Sequence, residues 1–238
     1  MRAFANRRFC LWIGIAFFII ILLVLQCLNT INSMDKSQSQ TLIRQEAEEN
    51  SQNEFVLLDA YVPFLAVDLR YATDRNVFGE KVYENSFALL RKGTADKLRK
   101  AQLDFLKRGY RLKVWDAYRP LQAQFKLWEI CPDPNFVADP HQGYSKHSRG
   151  CAVDVTLLDR FGVEIPMPSA FDDFSPQADR SYDDVDEIEA LNARLLEEIM
   201  LKHGFRSIRT EWWHFEDLDK DQYDVIDNLS VLKQENKP

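Results

Sequence analysis

The feature that most limits what this chain can fold into is a run of consecutive residues from Leu11 to Leu28, in which Gln26 is the only strongly polar side chain. At about 18 residues the run is just long enough to cross a bilayer as a helix. Arg2, Arg7 and Arg8 precede it. A basic start followed by an apolar run reads as an export signal or a membrane anchor. The tendency of arginines to stay cytoplasmic would send the remainder across the membrane. Leu25–Gln26–Cys27 lacks the small residues of a cleavage site and is a poor lipoprotein site, which favours an uncleaved anchor. A buried core helix is the competing reading, and the polar stretch that follows at once argues against it. That stretch, residues 29–53, is rich in Ser, Gln, Asn and Glu and has no aromatic residue. It cannot bury enough apolar surface to fold alone and reads as a linker. What remains is one domain over residues 54–232 and a short tail, 233–238. About 180 residues can bury a core without disulfide or metal staples.

Acidic residues outnumber basic ones, 37 to 30, and the net charge of −7 argues against a nucleic-acid binder. Of the four cysteines, Cys10 and Cys27 flank or sit in the apolar run. No pair has CxxC spacing, so a thiolate zinc site is not expected. Cys131 and Cys151 could pair in an oxidising compartment or stand as two separate buried thiols.

Within the domain, Phe55–Leu58 and Val67–Leu69 read as short strands or extended segments. Ala95, Leu98, Ala101 and Phe105 follow helical spacing and predict a helix over Ala95–Arg108, with Thr94 as its cap and Gly109 as its stop. Tyr110–Trp115 alternates as a strand. Pro120 suits a helix start, so Leu121–Ile130 is read as the next helix, with Arg119 at the junction. Ala152–Leu157 is a strand with Val153, Val155 and Leu157 on one face and Asp154 on the other. Glu187–His203 is a helix whose predicted apolar face carries Ile188, Leu191, Leu195 and Ile199. Its acidic start, from Asp183 to Glu189, suits the helix dipole. Ile208–Glu216 is read as a last strand. Helices and strands mix without a regular βα repeat. This predicts an α+β domain with an antiparallel sheet and flanking helices.

Two short stretches carry the chemistry. In the first, His147 and Asp154 are separated by Gly150, which lets a loop turn into the strand. An imidazole nitrogen and a carboxylate oxygen make a suitable half-site for zinc, although the pair alone is weak evidence. In the second, Glu211–Trp212–Trp213–His214, a glutamate precedes a histidine by three. Residues three apart on a flat strand face opposite ways, so a shared site requires the strand to bend; otherwise the two are a surface glutamate and a core histidine. Taken together, His147, Asp154 and His214 make three zinc ligands and leave a fourth position for water, the pattern of a catalytic site. Zinc lowers the pKa of such a water. Glu211 is then the spare carboxylate to take its proton, and Arg119 a fixed charge for an oxyanion.

The set formed by Asp116–Ala117–Tyr118–Arg119–Pro120, Ser145-x-His147-x-x-Gly150-x-Ala152-x-Asp154 and Glu211–Trp212–Trp213–His214 resembles the VanX-type D-alanyl-D-alanine dipeptidases of the M15 zinc peptidases. Asp68–Leu69–Arg70–Tyr71–Ala72–Thr73 resembles that family's N-terminal motif. The resemblance spans about residues 55–219. It implies an α+β fold shared with DD-carboxypeptidases and the hedgehog signalling domain, one zinc ion per chain and a small D,D-dipeptide substrate. By position it implies His147, Asp154 and His214 as zinc ligands, Glu211 as base and Arg119 as stabiliser of the tetrahedral intermediate. Tyr71, Ser145 and Asp172 match substrate-contacting positions, Asp172 beside the substrate ammonium. Cys151 departs from the family pattern, where a small residue such as Ser is usual. The N-terminal run departs further, because resistance-type relatives are cytoplasmic. An enzyme tethered to the inner membrane and facing the periplasm suits dipeptide salvage or wall turnover. The same zinc site would also serve a D,D- or L,D-carboxypeptidase acting on peptidoglycan stems. His203 is read as structural at a helix end, Trp115 and Trp128 as core, His141 as a solvated loop histidine or a residue of the site's entrance, and Asp116 as a partner for Arg119 or a support for the loop.

Overall fold

The computed structural model describes residues 50–226 apart from 85, 86 and 135, together with residues 41, 45 and 48. The apolar run, Cys10, Cys27, most of the polar linker and the tail 233–238 lie outside the described residues. The chain divides between Ser51 and Gln52 into two compact units, and the described positions of the first are helical. Among the described residues no helix is long and apolar enough to cross a membrane.

The second unit is mixed α+β. Its strands are β1 (Phe55–Leu57), β2 (Ala66–Val67), β3 (Leu89–Arg91), β4 (Arg111–Asp116), β5 (Ala152–Leu158), β6 (Phe205–Ser207) and β7 (His214–Asp217). Its helices are the single turn α1 (Leu58–Tyr61), α2 (Lys92–Lys107), α3 (Leu121–Ile130) and α4 (Glu187–Lys202). β1 and β3 form an antiparallel pair, and the main sheet has the order β2-β4-β5-β7-β6. Its pairs are antiparallel as expected, except at the edge, where β2 runs parallel to β4.

β5 is the centre of the sheet, and every one of its residues is buried. Val153, Val155 and Leu157 join Leu98 and Phe105 of α2 and Leu196 and Ile199 of α4 in one apolar core. Asp154 and Thr156 alternate onto the other face, as the period of a strand requires. A second cluster, including Tyr71, Val82, Tyr83 and Leu127, packs α3 beside that polar face.

Several sequence expectations are corrected. α2 begins at Lys92, so Thr94 lies inside the helix, where its hydroxyl donates to Asp217 instead of capping the end. On α4, Ile188 and Leu191 are 56% and 52% exposed, and the buried stripe runs through Ala190, Ala193, Leu196, Ile199 and Met200. Small alanines let this helix approach the sheet closely, and a stripe chosen by side-chain size overlooks them. Asp186 and Glu189 form a reciprocal capping box at the start of α4. The extended segment expected over Val67–Leu69 pairs only as Ala66–Val67, and the strand expected over Ile208–Glu216 is paired only from His214. Cys131 and Cys151 are both free. Burial pushes the Cys151 thiol up to about 12, which keeps it protonated and inert at neutral pH.

Candidate metal centre

Two irregularities build the site. The first is a bulge in β4. Val114 pairs with Val155, but the next paired residue is Asp116, opposite Asp154. The extra residue, Trp115, bends the strand end, as bulges do. Asp154 is in turn the register partner of His214 on β7. Asp116, Asp154 and His214 therefore stand in a row across three strands.

The second irregularity is the bend before β7. Arg180 gathers the carbonyls of this segment: its Nε donates to Ile208 at 2.8 Å, and its Nη2 donates to Trp212 at 2.9 Å and His214 at 3.2 Å. The Trp212 amide donates to Ala178. With its backbone bonded outwards to Arg180 and Ala178, the segment cannot pair as a regular strand. The parity objection to Glu211 and His214 sharing a site is thereby removed, since both side chains reach the same cavity.

His147 arrives on a one-turn 3-10 helix, His147–Arg149, closed by Gly150 at φ +71°. A Cβ on Gly150 would lie 2.5 Å from the ring of Phe55, so both its backbone and its surroundings require glycine. The His147 carbonyl accepts from the Arg119 amide at 3.1 Å, tying the turn to the end of β4.

His147 Nε2 lies 3.2 Å from His214 Nδ1, which lies 2.9 Å from Asp154 Oδ1. These three buried donor atoms fall within 4.8 Å of one another, and the set fits a metal ion. Two nitrogens and one carboxylate oxygen are a zinc-type donor set. The rings are held from behind. His147 Nδ1 is 2.8 Å from the Ala117 carbonyl, which fixes the proton on Nδ1 and leaves the Nε2 lone pair facing inwards. His214 Nε2 faces Glu216 Oε1 at 3.8 Å, two residues along the same strand face.

Electrostatics follow from this packing. Burial alone would raise Asp154, but the imidazoles of His147 and His214 overcome it and hold the carboxylate well below its ordinary range. Burial disfavours charge on His214, yet its hydrogen bond to Asp154 and the nearby Glu216 carboxylate raise it to about 10. Glu211 keeps 23% of its side chain exposed and sits 3.8 Å from His214 Nδ1. Burial raises its pKa, against the pull of the His214 charge. A carboxylate raised towards neutrality is suited to exchange protons.

Arg119 is buried and gripped. Its Nε and Nη2 donate to Asp116 Oδ2 at 2.9 and 2.7 Å, and its Nη1 donates to Gln124 at 2.9 Å. Burial works against its charge, but Asp116, Tyr71 and Asp154 raise it above its ordinary value. The guanidinium lies over the Tyr71 ring, 4.9 Å from its centroid. The Tyr71 hydroxyl donates to Asp172 Oδ1 at 3.1 Å. Asp172 sits in left-handed backbone at φ +58°, and its Oδ2 is buried with no protein partner. Burial, reinforced by the charge of Asp154, raises its pKa well above the ordinary carboxylate value. Ser145 accepts from the His147 amide at 3.3 Å.

All eight residues singled out in the sequence line one cavity of about 280 Å³. Asp116 grips Arg119, one of the two roles the sequence offered for it. Sequence reasoning missed Gln124, Arg180 and Glu216. Glu216 was within reach, since its spacing of two from His214 places both on one strand face. Of the residues set aside, Trp128 is half-buried against the second cluster and His141 is exposed. Trp115 is in the core, and His203 pairs with Asp104 at 3.1 Å. His141 stands edge-on to Phe125.

A family model described as D-ala-D-ala dipeptidase, of the Peptidase_M15 family, matches residues 51–231. A D-alanyl-D-alanine dipeptidase of Escherichia coli (strain K12) is 39% identical over 163 residues, 68% of this chain and 84% of that protein. A D-alanyl-D-alanine dipeptidase of Enterococcus faecalis is 34% identical over 201 residues, 76% of this chain and 99% of that protein. Among solved structures, a mutant of the vancomycin-resistance D,D-pentapeptidase VanY in complex with Zn(II) aligns with a TM-score of 0.37 at 16% identity. That alignment covers 58% of this chain and 77% of the other.

Proposed function

Because the chain belongs to the D-alanyl-D-alanine dipeptidase family of the M15 peptidases, we propose that it hydrolyses free D-alanyl-D-alanine to two D-alanines with one zinc ion per chain. The observation that carries this reading is the convergence of His147, Asp154 and His214 beside Glu211 and Arg119 in one small cavity. About 280 Å³ lies just below the usual range of ligand sites, roughly 300–1,000 Å³, and suits a dipeptide. We read the fold as the one shared by DD-peptidases and hedgehog domains, with residues 54–232 as the catalytic domain.

Zinc, when bound by His147 Nε2, Asp154 and His214 Nδ1, supplies a Lewis acid that polarises the scissile carbonyl and lowers the pKa of water. Glu211 takes the proton of the attacking water and passes it to the leaving amine. Arg119, immobilised by Asp116 and Gln124, offers a charge that needs no reorganisation as the oxyanion develops. Asp172, its Oδ2 unpartnered, receives the substrate ammonium, and Tyr71 orients it through their hydrogen bond. An ammonium beside Asp172 would favour its ionised form, so substrate and carboxylate charge together.

The test is release of D-alanine from D-Ala-D-Ala by zinc-loaded protein, with L-Ala-L-Ala and a chelated sample alongside. Chelator-sensitive release from the D,D substrate alone is expected. Zinc bound at one per chain with no release, but cleavage of a stem pentapeptide, would replace this reading with a carboxypeptidase.

We also propose that the enzyme is anchored in the bacterial inner membrane by residues 1–28, with residues 29–53 as a linker and the domain outside the cytoplasm. Arg2, Arg7 and Arg8 ahead of the apolar run support this orientation. The physiological task is then salvage of wall dipeptide. A topology reporter fused after residue 50 is expected to be active outside the cytoplasm; a reporter that stays inside sinks the proposal.

A further inference from the structure

Two segments meet through aromatic rings that the proposed chemistry does not use, one of the rings lining the cavity. Phe136 lies on the connection from α3 to His147 and lines the cavity. Phe174 lies two residues beyond Asp172. Their ring centroids are 4.4 Å apart, yet the residues are 40% and 38% exposed. Behind this pair the rings continue. Phe174 stands 6.4 Å from Phe78, and Phe78 stacks 6.4 Å from Tyr71, whose hydroxyl returns to Asp172. On the other side of Asp172, Phe171 packs against Tyr71, Trp115 and Trp213. Asp172, in left-handed backbone, thus stands in the chain between Phe171 and Phe174, which join different aromatic contacts.

We propose that Phe136 and Phe174 are specificity-determining residues, a clasp that admits a free dipeptide and excludes peptides extended beyond its amino terminus. This rests on the dipeptidase reading. In a dipeptide the ammonium ends the chain at Asp172. In a longer peptide an uncharged amide stands there and the chain must run on, past the rings that meet two residues from Asp172. Rejection is therefore double: the buried carboxylate loses its cation, and the next residue meets the clasp. Discrimination by an obstructing element is a common route to specificity.

The test uses the full zinc-loaded chain and two substrates, D-Ala-D-Ala and L-Lys-D-Ala-D-Ala, following D-alanine release. Wild type is expected to prefer the dipeptide. In Phe136→Ala, Phe174→Ala and their double variant, the ratio of kcat/KM for tripeptide over dipeptide should rise by roughly tenfold or more. Phe136→Leu and Phe174→Leu, which refill most of the rim, should return the ratio towards wild type. Zinc content and thermal unfolding report whether each variant folds; where an alanine variant does not, Phe136→Val or Phe174→Val, which also shortens the rim, carries the test and should raise the ratio by a smaller factor. A folded set with the wild-type ratio throughout overturns the clasp and leaves the dipeptidase reading standing. Wild type that cleaves both substrates equally overturns the clasp at once. Wild type that cleaves neither overturns the reading beneath it, and the clasp with it.

Discussion

Glu211→Gln is expected to keep one zinc per chain and to lose about 10²–10⁴-fold in kcat, the usual worth of a positioned general base. The glutamine keeps the shape and one acceptor oxygen but cannot take a proton. Glu211 stands outside the trio of donor atoms that lie within 4.8 Å of one another, 3.8 Å from His214 Nδ1. Metal retention and turnover should therefore separate. Its raised pKa has a definite sign: burial makes the carboxylate a better base than a solvated one. Metal content by atomic absorption and turnover on D-Ala-D-Ala are the two measurements. Near-normal turnover with metal retained would falsify the assignment of the base. Loss of metal would mean that Glu211 is a ligand instead.

Arg119→Met is expected to act on both stability and rate. Removing the guanidinium leaves the Asp116 carboxylate, fully buried, with the Tyr83 hydroxyl at 2.8 Å and His147 Nδ1 at 3.5 Å but without its fixed cation. Breaking a buried pair from one side costs about 3–5 kcal/mol. In a domain of this size that lowers Tm by roughly 10 °C. Loss of an oxyanion donor costs a further factor of about 10²–10³ in kcat. Arg119→Lys divides the two effects. It keeps a charge beside Asp116 but loses the simultaneous grip on Asp116 and Gln124, so most of the Tm should return while kcat stays low. A methionine variant that melts like wild type would show that the pair does not hold the loop. A lysine variant with full kcat would show that the planar fork is not needed at the reacting centre.

Strongly periodic elements were legible in the sequence. α3 agrees residue for residue, and α2, α4, β4 and β5 agree within a few residues at their ends. Their buried positions repeat at helical or strand spacing, and each has a local start or stop. β3 and β6, of three residues each, were not read, because three residues carry no period and pair only through partners distant in the chain. The partner face of α4 was misread, because what decides between Leu191 and Ala193 is the distance to the sheet.

The sequence by itself determined which side chains are available: two histidines, an aspartate, a spare glutamate and an arginine, in motifs specific enough to mark a family. It also placed a glycine, Gly150, where the chain turns between His147 and the strand of Asp154, a residue free to adopt left-handed backbone. Only the tertiary structure decided that these groups share a cavity. The bulge at Trp115 aligns Asp116 with Asp154, and Arg180, from a loop far from either motif, bends the segment that brings Glu211 and His214 together. Both are long-range effects. A strand's pairing partner and a carbonyl's hydrogen-bond donor are chosen by elements that meet only after the chain has folded, so no window of local sequence contains them.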